Sequence, residues 1–229
     1  MIGRMDGIIL IDKPTGMSSF GVVARVRRIL SQAAGKKVKV GHTGTLDPFA
    51  SGLMIIVVGT YCKRASEFSK LDKTYEAVIE LGKTSSTGDP EGDITAISQE
   101  RPTDGDIAAS VQAFTGTITQ TPPSYSAIKI DGVRAYKLAR EGKEVEMPTR
   151  EITIHSLELD SYEYPDLTIT THVSSGTYIR TLASDIGESL GTGAYCKELR
   201  RTVVGKYSIE NAVRLRDDMA ADELPILAI

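Results

Sequence analysis

Residues 41–52 read Gly41-His42-Thr43-Gly44-Thr45-Leu46-Asp47-Pro48-Phe49-Ala50-Ser51-Gly52, and Leu53-Met54-Ile55-Ile56-Val57-Val58 follow directly. The apolar run 53–58 is far shorter than the roughly 20 residues of a membrane span. It has the length of a buried strand. The glycine-rich, polar stretch before it has the composition of a loop. Pro48 restricts Asp47 to extended conformations, which fixes the direction of its carboxylate. Such a carboxylate has two readings: an Asp that closes a turn or opens a helix, or an ionised group held for nucleophilic attack. An ionised buried carboxylate needs a cation, and Arg180, in Ser175-Gly176-Thr177-Tyr178-Ile179-Arg180, is a candidate.

Outward from this stretch, Gly7–Ile11 reads as a short strand closed by the turn Lys13-Pro14-Thr15-Gly16. Ser18 can cap a helix running to Leu30, with Val22, Val23, Val26, Ile29 and Leu30 on one face. Residues 73–81 alternate as a half-buried strand with Tyr75, Ala77, Ile79 and Leu81 on its apolar side. Residues 82–93, GKTSSTGDPEGD, read as a mobile loop, and Thr103–Phe114 as a helix stopped by Gly116. Ser124–Arg134 is a hairpin candidate around Asp131-Gly132, followed by a short helix near Tyr136–Glu141. Strands are expected at 150–160, 167–173 and 196–204, with a helix at Tyr178–Leu190 capped by Ser174 or Ser175. The fold class is α+β, with a central, mostly antiparallel sheet flanked by helices and loops.

The chain has 229 residues, 41% hydrophobic and 25% charged, in the globular range. No targeting segment is legible at the start, and two cysteines make no disulfide framework, so a cytoplasmic protein is expected. The three histidines (42, 155, 172) and two cysteines show no metal spacing, and no phosphate loop, dinucleotide fingerprint or serine-hydrolase elbow occurs. No metal or cofactor is expected. The formal net charge is −3, but residues 210–229 hold five acids and two bases, leaving 25 of each over residues 1–209. Bases cluster at Arg25, Arg27, Arg28, Lys36, Lys37 and Lys39, and at Lys197, Arg200, Arg201 and Lys206. Such clusters are either solvated faces or local phosphate-binding fields.

Five stretches in order resemble the motifs of the TruB-type bacterial tRNA pseudouridine-55 synthases. They are Lys13-Pro14-Thr15-Gly16-Met17-Ser18-Ser19, the Gly41–Gly52 stretch, Lys73-Thr74-Tyr75, Ser175-Gly176-Thr177-Tyr178-Ile179-Arg180-Thr181-Leu182 and Leu199-Arg200-Arg201. The resemblance spans residues 7 to about 208 and implies the pseudouridine synthase fold. It also implies cofactor-free conversion of a T-loop uridine of tRNA to its C-glycoside isomer. By that resemblance Asp47 is the nucleophile, Tyr75 stacks on the base and assists a proton transfer, and Arg180 holds Asp47 ionised. The alternatives are core packing for Tyr75 and a solvated helix start for Arg180. His42 matches the residue that fills the place left by the flipped-out uridine. Tyr178 and Leu199 match walls around the base, and Lys13 and Pro14 match a supporting motif.

Residues 124–150 match an insertion that grips the T-arm, where Lys129, Arg134, Lys137, Arg140 and Lys143 suit phosphate contacts. Typical members continue into a C-terminal RNA-binding PUA domain. Here a short acidic tail, 209–229, follows the catalytic body, and one domain over 1–229 without a PUA domain is expected. The expected partner is the tRNA T-arm, bound by a monomer with no protein partner and no membrane. Two alternatives are a non-catalytic tRNA-binding or folding module and a pseudouridine synthase for another RNA.

Overall fold

The run Leu53–Val58 forms a strand whose side chains are almost completely withdrawn from solvent. A strand flanked on both edges and covered on both faces has no solvated side, so its sequence does not alternate. Each of these fully buried aliphatic side chains contributes roughly 1.5–3 kcal/mol. The computed structural model describes residues 6–143, 146–216 and 218–228. Glu144 and Val145 of the expected insertion, and Asp217 of the acidic tail, lie outside the described residues.

The chain divides into two compact units, Met1–Tyr75 with Arg200–Ile229, and Glu76–Leu199. The first contains β1 (Gly7–Lys13), α1 (Ser19–Ala34), β2 (Val40–His42), β3 (Ser51–Val58) and, after a 3-10 turn, α2 (Ala65–Ser69). Strand β4 (Lys73–Leu81) runs across the boundary. The second unit continues with β5 (Lys83–Ser85), β6 (Ile94–Ala96), α3 (Asp104–Ala113), β7 (Gly116–Gln120), β8 (Lys129–Ile130), β9 (Val133–Arg134), α4 (Ala135–Arg140), β10 (Arg150–Glu163), β11 (Asp166–Val173) and α5 (Ile179–Ser189). Strand β12 (Ala194–Val204) crosses back, and β13 (Tyr207–Ser208) and β14 (Val213–Arg214) close the first unit.

In the first unit β1 and β2 lie antiparallel to β3, with Gly7 opposite Val58 and His42 opposite Ile56. The end of β12 is parallel to β3, with Arg200 opposite Ser51 and Arg201 opposite Gly52. Strand β14 is parallel to β1. Ile8, Leu10, Leu53, Ile55, Val57, Phe68 and Val204 form an apolar cluster in this unit. Helix α1 buries the expected face, Val22, Val23, Val26, Ile29 and Leu30; Ser18 caps it by accepting from the Gly21 N–H, and Gly35 ends it at φ 63°.

In the second unit the strand order is β4-β11-β10-β7, and β10 is antiparallel to both neighbours. The mixed, mostly antiparallel sheet and flanking helices agree with the expected fold class. The stretch read as a loop at 82–93 is instead the tip of a hairpin, with Lys83 opposite Ala96. Its polar, glycine-rich composition hid the short strands. The Asp131-Gly132 hairpin is present, with both turn residues at positive φ (49° and 83°) as a primed turn requires.

Buried Glu80 ties β4 to its surroundings within the second unit. It accepts from the Tyr195 hydroxyl at 2.7 Å and pairs with Lys83 at 2.7 Å, and Lys197 stands 3.7 Å away and bonds Asp166 at 2.8 Å. Burial pushes the Glu80 carboxyl up, but the hydrogen bonds from Lys83 and Tyr195 and the charges of Lys83 and Lys197 outweigh it, so its pKa is lowered. The network's contribution is therefore complete above the unfolded carboxyl value, about 4.3, and is lost as pH falls through the depressed folded value. Glu80→Gln should melt below wild type at pH 7, by roughly 3 °C per kcal/mol lost. The gap should narrow as the pH is taken below the unfolded value. A gap in melting temperature that stays constant from neutral to acid pH would show that the Glu80 charge contributes nothing.

Candidate active site

The Asp47 loop is fastened to the first unit through its backbone. Lys13, fully buried, donates from Nζ to the carbonyls of Pro14 (3.0 Å), Met17 (2.7 Å) and Pro48 (3.3 Å). The Gly16 N–H also reaches the Pro48 carbonyl, at 2.7 Å. Buried Ser19 takes both main-chain groups of Leu46, accepting from its N–H and donating to its carbonyl at 2.8 Å each. Arg201, 2% exposed, donates from Nε to Leu53 O (2.7 Å) and from Nη2 to Gly44 O (3.2 Å). Thr43 donates its N–H to Ile55 O at 3.2 Å. Asp47 itself is half-buried.

Gly52 makes this closure possible. It sits at φ 111°, and a Cβ there would lie 2.3 Å from the Arg201 carbonyl oxygen. The parallel step from β3 to β12 therefore admits no side chain at 52. Arg200, next to it, forks onto Asp12 (2.9 and 3.2 Å) and reaches Ser51. Lys13 thus ties Pro14 to the Asp47-Pro48 loop, His42 is half-buried on β2, and Tyr75 is 7% exposed on the apolar side of β4.

The second unit holds the other candidates. Arg180 is 3% exposed, which removes the reading as a solvated arginine. It donates from Nη1 to Thr87 O (2.7 Å) and from Nη2 to Tyr125 O (2.8 Å), and Nη1 lies 3.2 Å from Asp89 Oδ2. Asp89 is itself 3% exposed, and its Oδ1 accepts from Thr87 Oγ1 (2.6 Å) and the Glu91 N–H (3.0 Å). Sequence reasoning did not single out Asp89. Its one local signal, an Asp before Pro90 with Thr87 two residues earlier, is shared with ordinary turns.

Helix α5 begins at Ile179 with Tyr178 as its N-cap and no side-chain cap bond. Ser174 is used otherwise: its Oγ accepts from the Thr153 N–H, and its carbonyl takes Thr177 Oγ1 at 2.9 Å. Tyr178 is half-buried and Leu199 is 9% exposed.

Of the expected phosphate contacts, Lys129, Arg134, Lys137, Arg140 and Lys143 are all exposed, on the β8–β9 hairpin, α4 and the turn after it. Arg134 donates to Ala127 O at 2.7 Å, Arg140 lies over the Tyr136 ring, and Lys143 pairs with Glu141. The basic cluster at 197–206 is different. Lys197 pairs with Asp166, Arg200 with Asp12, and Arg201 is buried on carbonyl groups.

Residues 27–179 match the model of the TruB family pseudouridylate synthase N-terminal domain, and residues 180–223 match that of the tRNA pseudouridylate synthase B C-terminal domain. The chain belongs to the TruB family of pseudouridylate synthases. It is 43% identical over 223 residues to the tRNA pseudouridine synthase B of Opitutus terrae, covering 97% of this chain and 90% of that protein. With the Burkholderia lata protein of the same name the identity is 45% over 222 residues, covering 96% of this chain and 66% of that one. Among solved structures it is similar to a chain of a Cbf5-Nop10-Gar1 complex, with TM-score 0.71, 29% identity and 92% of this chain covered. This chain spans about half the length of that one (53%).

In this TruB-family chain Asp89 and Arg180 form a buried ion pair, and further hydrogen bonds tie the pair to Thr87, Glu91 and Tyr125. Removing one partner strands the other charge and typically costs about 3–5 kcal/mol. Asp89→Ala and Arg180→Ala should each lower the melting temperature strongly. The double variant should lose less than the sum, with a coupling of at least ~1 kcal/mol in denaturant titrations. Additive losses would show that the two side chains do not stabilise the fold as a pair.

Proposed function

We propose that this chain is a tRNA pseudouridine synthase that isomerises the T-loop uridine at position 55, with Asp47 as nucleophile. The observation that carries the reading is the Asp47-Pro48 loop, braced at both ends inside a chain of the TruB family. The reaction breaks the N1–C1′ glycosidic bond, rotates the freed base and joins C5 to C1′; C5 gives up its proton and N1 takes one up, so the product is an isomer. The Asp47 carboxylate opens the glycosidic bond. Tyr75 stacks on the base and its hydroxyl assists the C5 proton transfer. Arg180 acts electrostatically and keeps the nucleophile ionised.

His42 fills the place vacated when the uridine leaves the T-loop, a step needed because the target is stacked inside a folded loop. Tyr178 and Leu199 wall the base. Lys129, Arg134, Lys137, Arg140 and Lys143 bind T-arm phosphates, which position RNA without reading sequence. The chain acts as a monomer in the cytoplasm and uses no cofactor. Incubation with an unmodified tRNA transcript, followed by a chemical readout for pseudouridine, tests the reading directly. Product in another RNA but not in tRNA would favour a different substrate, and binding without product would favour a non-catalytic module.

Asp47→Asn should abolish product formation and leave tRNA affinity within about tenfold, ~1.4 kcal/mol, because a nucleophile contributes mainly in the transition state. Turnover of the variant within an order of magnitude of wild type would remove Asp47 from the central role.

If recognition is confined to the T-arm, an isolated T-arm hairpin should be modified with kcat/KM within about tenfold of whole tRNA. Affinity should fall with salt, each phosphate contact adding roughly 0.7 to 0.9 to the slope. Lys137→Ala with Arg140→Ala should flatten that slope equally for all tRNAs. A hundredfold preference for whole tRNA would place major contacts elsewhere.

A further inference from the structure

We propose that Gln120 and Arg150 are positioning residues that together set the pose of Tyr178. The proposal rests on the reading above, in which the Tyr178 ring walls the base. Gln120 ends β7 and Arg150 begins β10, and the ladder places them directly opposite one another. Gln120 is 1% exposed. Its Nε2 donates to the Tyr178 carbonyl at 3.0 Å, and its Oε1 accepts from the Tyr178 N–H at 2.8 Å.

A side-chain amide thus makes the two bonds that a neighbouring strand residue would make, at the point where the chain turns from extended (φ −103°, ψ 113°) into α5. Burying a primary amide is costly unless its donor and acceptor are used. Here a single residue uses both.

Arg150 fixes what Gln120 leaves free. Its guanidinium lies over the Tyr178 ring, 4.8 Å from the centroid, and its Nη2 donates to the Gly176 carbonyl. Gly176, at φ 91°, leaves room for that group: a Cβ would stand 3.3 Å from Arg150 Nη1. Gln120 therefore holds the main chain of Tyr178 and Arg150 holds its ring. A half-buried tyrosine before a helix has two side-chain torsions to settle. A wall for a flipped base works only if it is held within about 0.5 Å of the productive geometry.

The test is a double-mutant cycle. Gln120→Met keeps length and bulk and removes both hydrogen bonds. Gln120→Glu keeps the acceptor alone. With unmodified tRNA as substrate, Gln120→Met should lower kcat at least about tenfold and leave tRNA affinity within about threefold, with Gln120→Glu between it and wild type. In a Tyr178→Ala background the same change should cost less than about threefold more.

Arg150→Lys retains the charge and loses the planar stack, and it should behave the same way, which keeps the cycle readable if Gln120→Met fails to fold. An equal loss with and without the Tyr178 ring overturns the proposal, as does unchanged kcat. A wild-type chain that makes no pseudouridine in any RNA sinks the functional reading instead. The pose is then read from the ring resonances of isotopically labelled Tyr178, assigned with Tyr178→Phe. They should shift or broaden in Gln120→Met and Arg150→Lys, and resonances identical to wild type overturn the proposal.

Discussion

A cation taken out of water must find acceptors for its N–H groups, and this requirement fastens the loops that carry the candidate chemistry. Lys13, Arg201 and Lys73 in the first unit and Arg180 in the second are each less than a tenth exposed. Each donates to main-chain carbonyls: Lys13 to three, Arg201 to two, Lys73 to those of Ser69 and Leu71, and Arg180 to two beside its ion pair with Asp89. Carbonyl groups in irregular segments have no ladder or helix partner, and leaving them buried and unpaired costs about 1–3 kcal/mol apiece. A cation with several donors satisfies several at once and ties together segments distant in sequence. The arrangement strains the cation: burial, then the nearby charge of Arg201, pushes Lys73 down to about 8, against the pull of Asp72.

The same geometry explains the composition of the Asp47 stretch. Gly52 is required by the 2.3 Å approach of the Arg201 carbonyl, and Gly44 lies under the Arg201 guanidinium, 3.4 Å from where its Cβ would be. Pro48 supplies a carbonyl shared by Lys13 and Gly16 while restricting Asp47 before it. Ser19, the first residue of α1, fills the remaining gap by pairing with both main-chain groups of Leu46. Glycine, proline and small hydroxyl residues here are backbone solutions to a packing problem. Their outcome is a carboxylate carried on a main chain hydrogen-bonded on both sides of it, an arrangement suited to electrostatic preorganisation.

Features with a local period were legible in the sequence. The apolar face of α1, the alternation of β4 and the Asp131-Gly132 turn all follow from short-range rules, and all are present. What escaped depends on partners far along the chain. Asp89 sits in a stretch that composition marks as loop, and its burial is decided by Arg180. Gln120 carries no mark in β7, because its significance lies in the Tyr178 backbone it meets. The start of α5 lies where expected to within a residue, but its cap differs for the same reason. Ser174 and Ser175 are good capping types, but Ser174 already serves β10 through the Thr153 N–H, and the amide of Gln120 takes the first turn's entry residue.

The net charge of −3 does not oppose RNA binding once the bases are sorted by what they touch. Arg201 is buried on carbonyl groups, and Lys197 and Arg200, each partly exposed, are paired with Asp166 and Asp12, so these three bases of the 197–206 cluster are engaged within the fold. The bases of the β8–β9 hairpin and α4 are exposed, and Lys143 holds Glu141 in a pair open to solvent on both sides. Exposed pairs of this kind are worth about 0–1 kcal/mol, so a phosphate can take over the lysine at little cost. A buried pair such as Asp89–Arg180 cannot be exchanged in that way, because either partner alone would be stranded. Burial and pairing together therefore separate buried bases such as Arg180 and Arg201, which build the fold, from the exposed bases of the hairpin and α4, which can meet a polyanion, and net charge reports neither group.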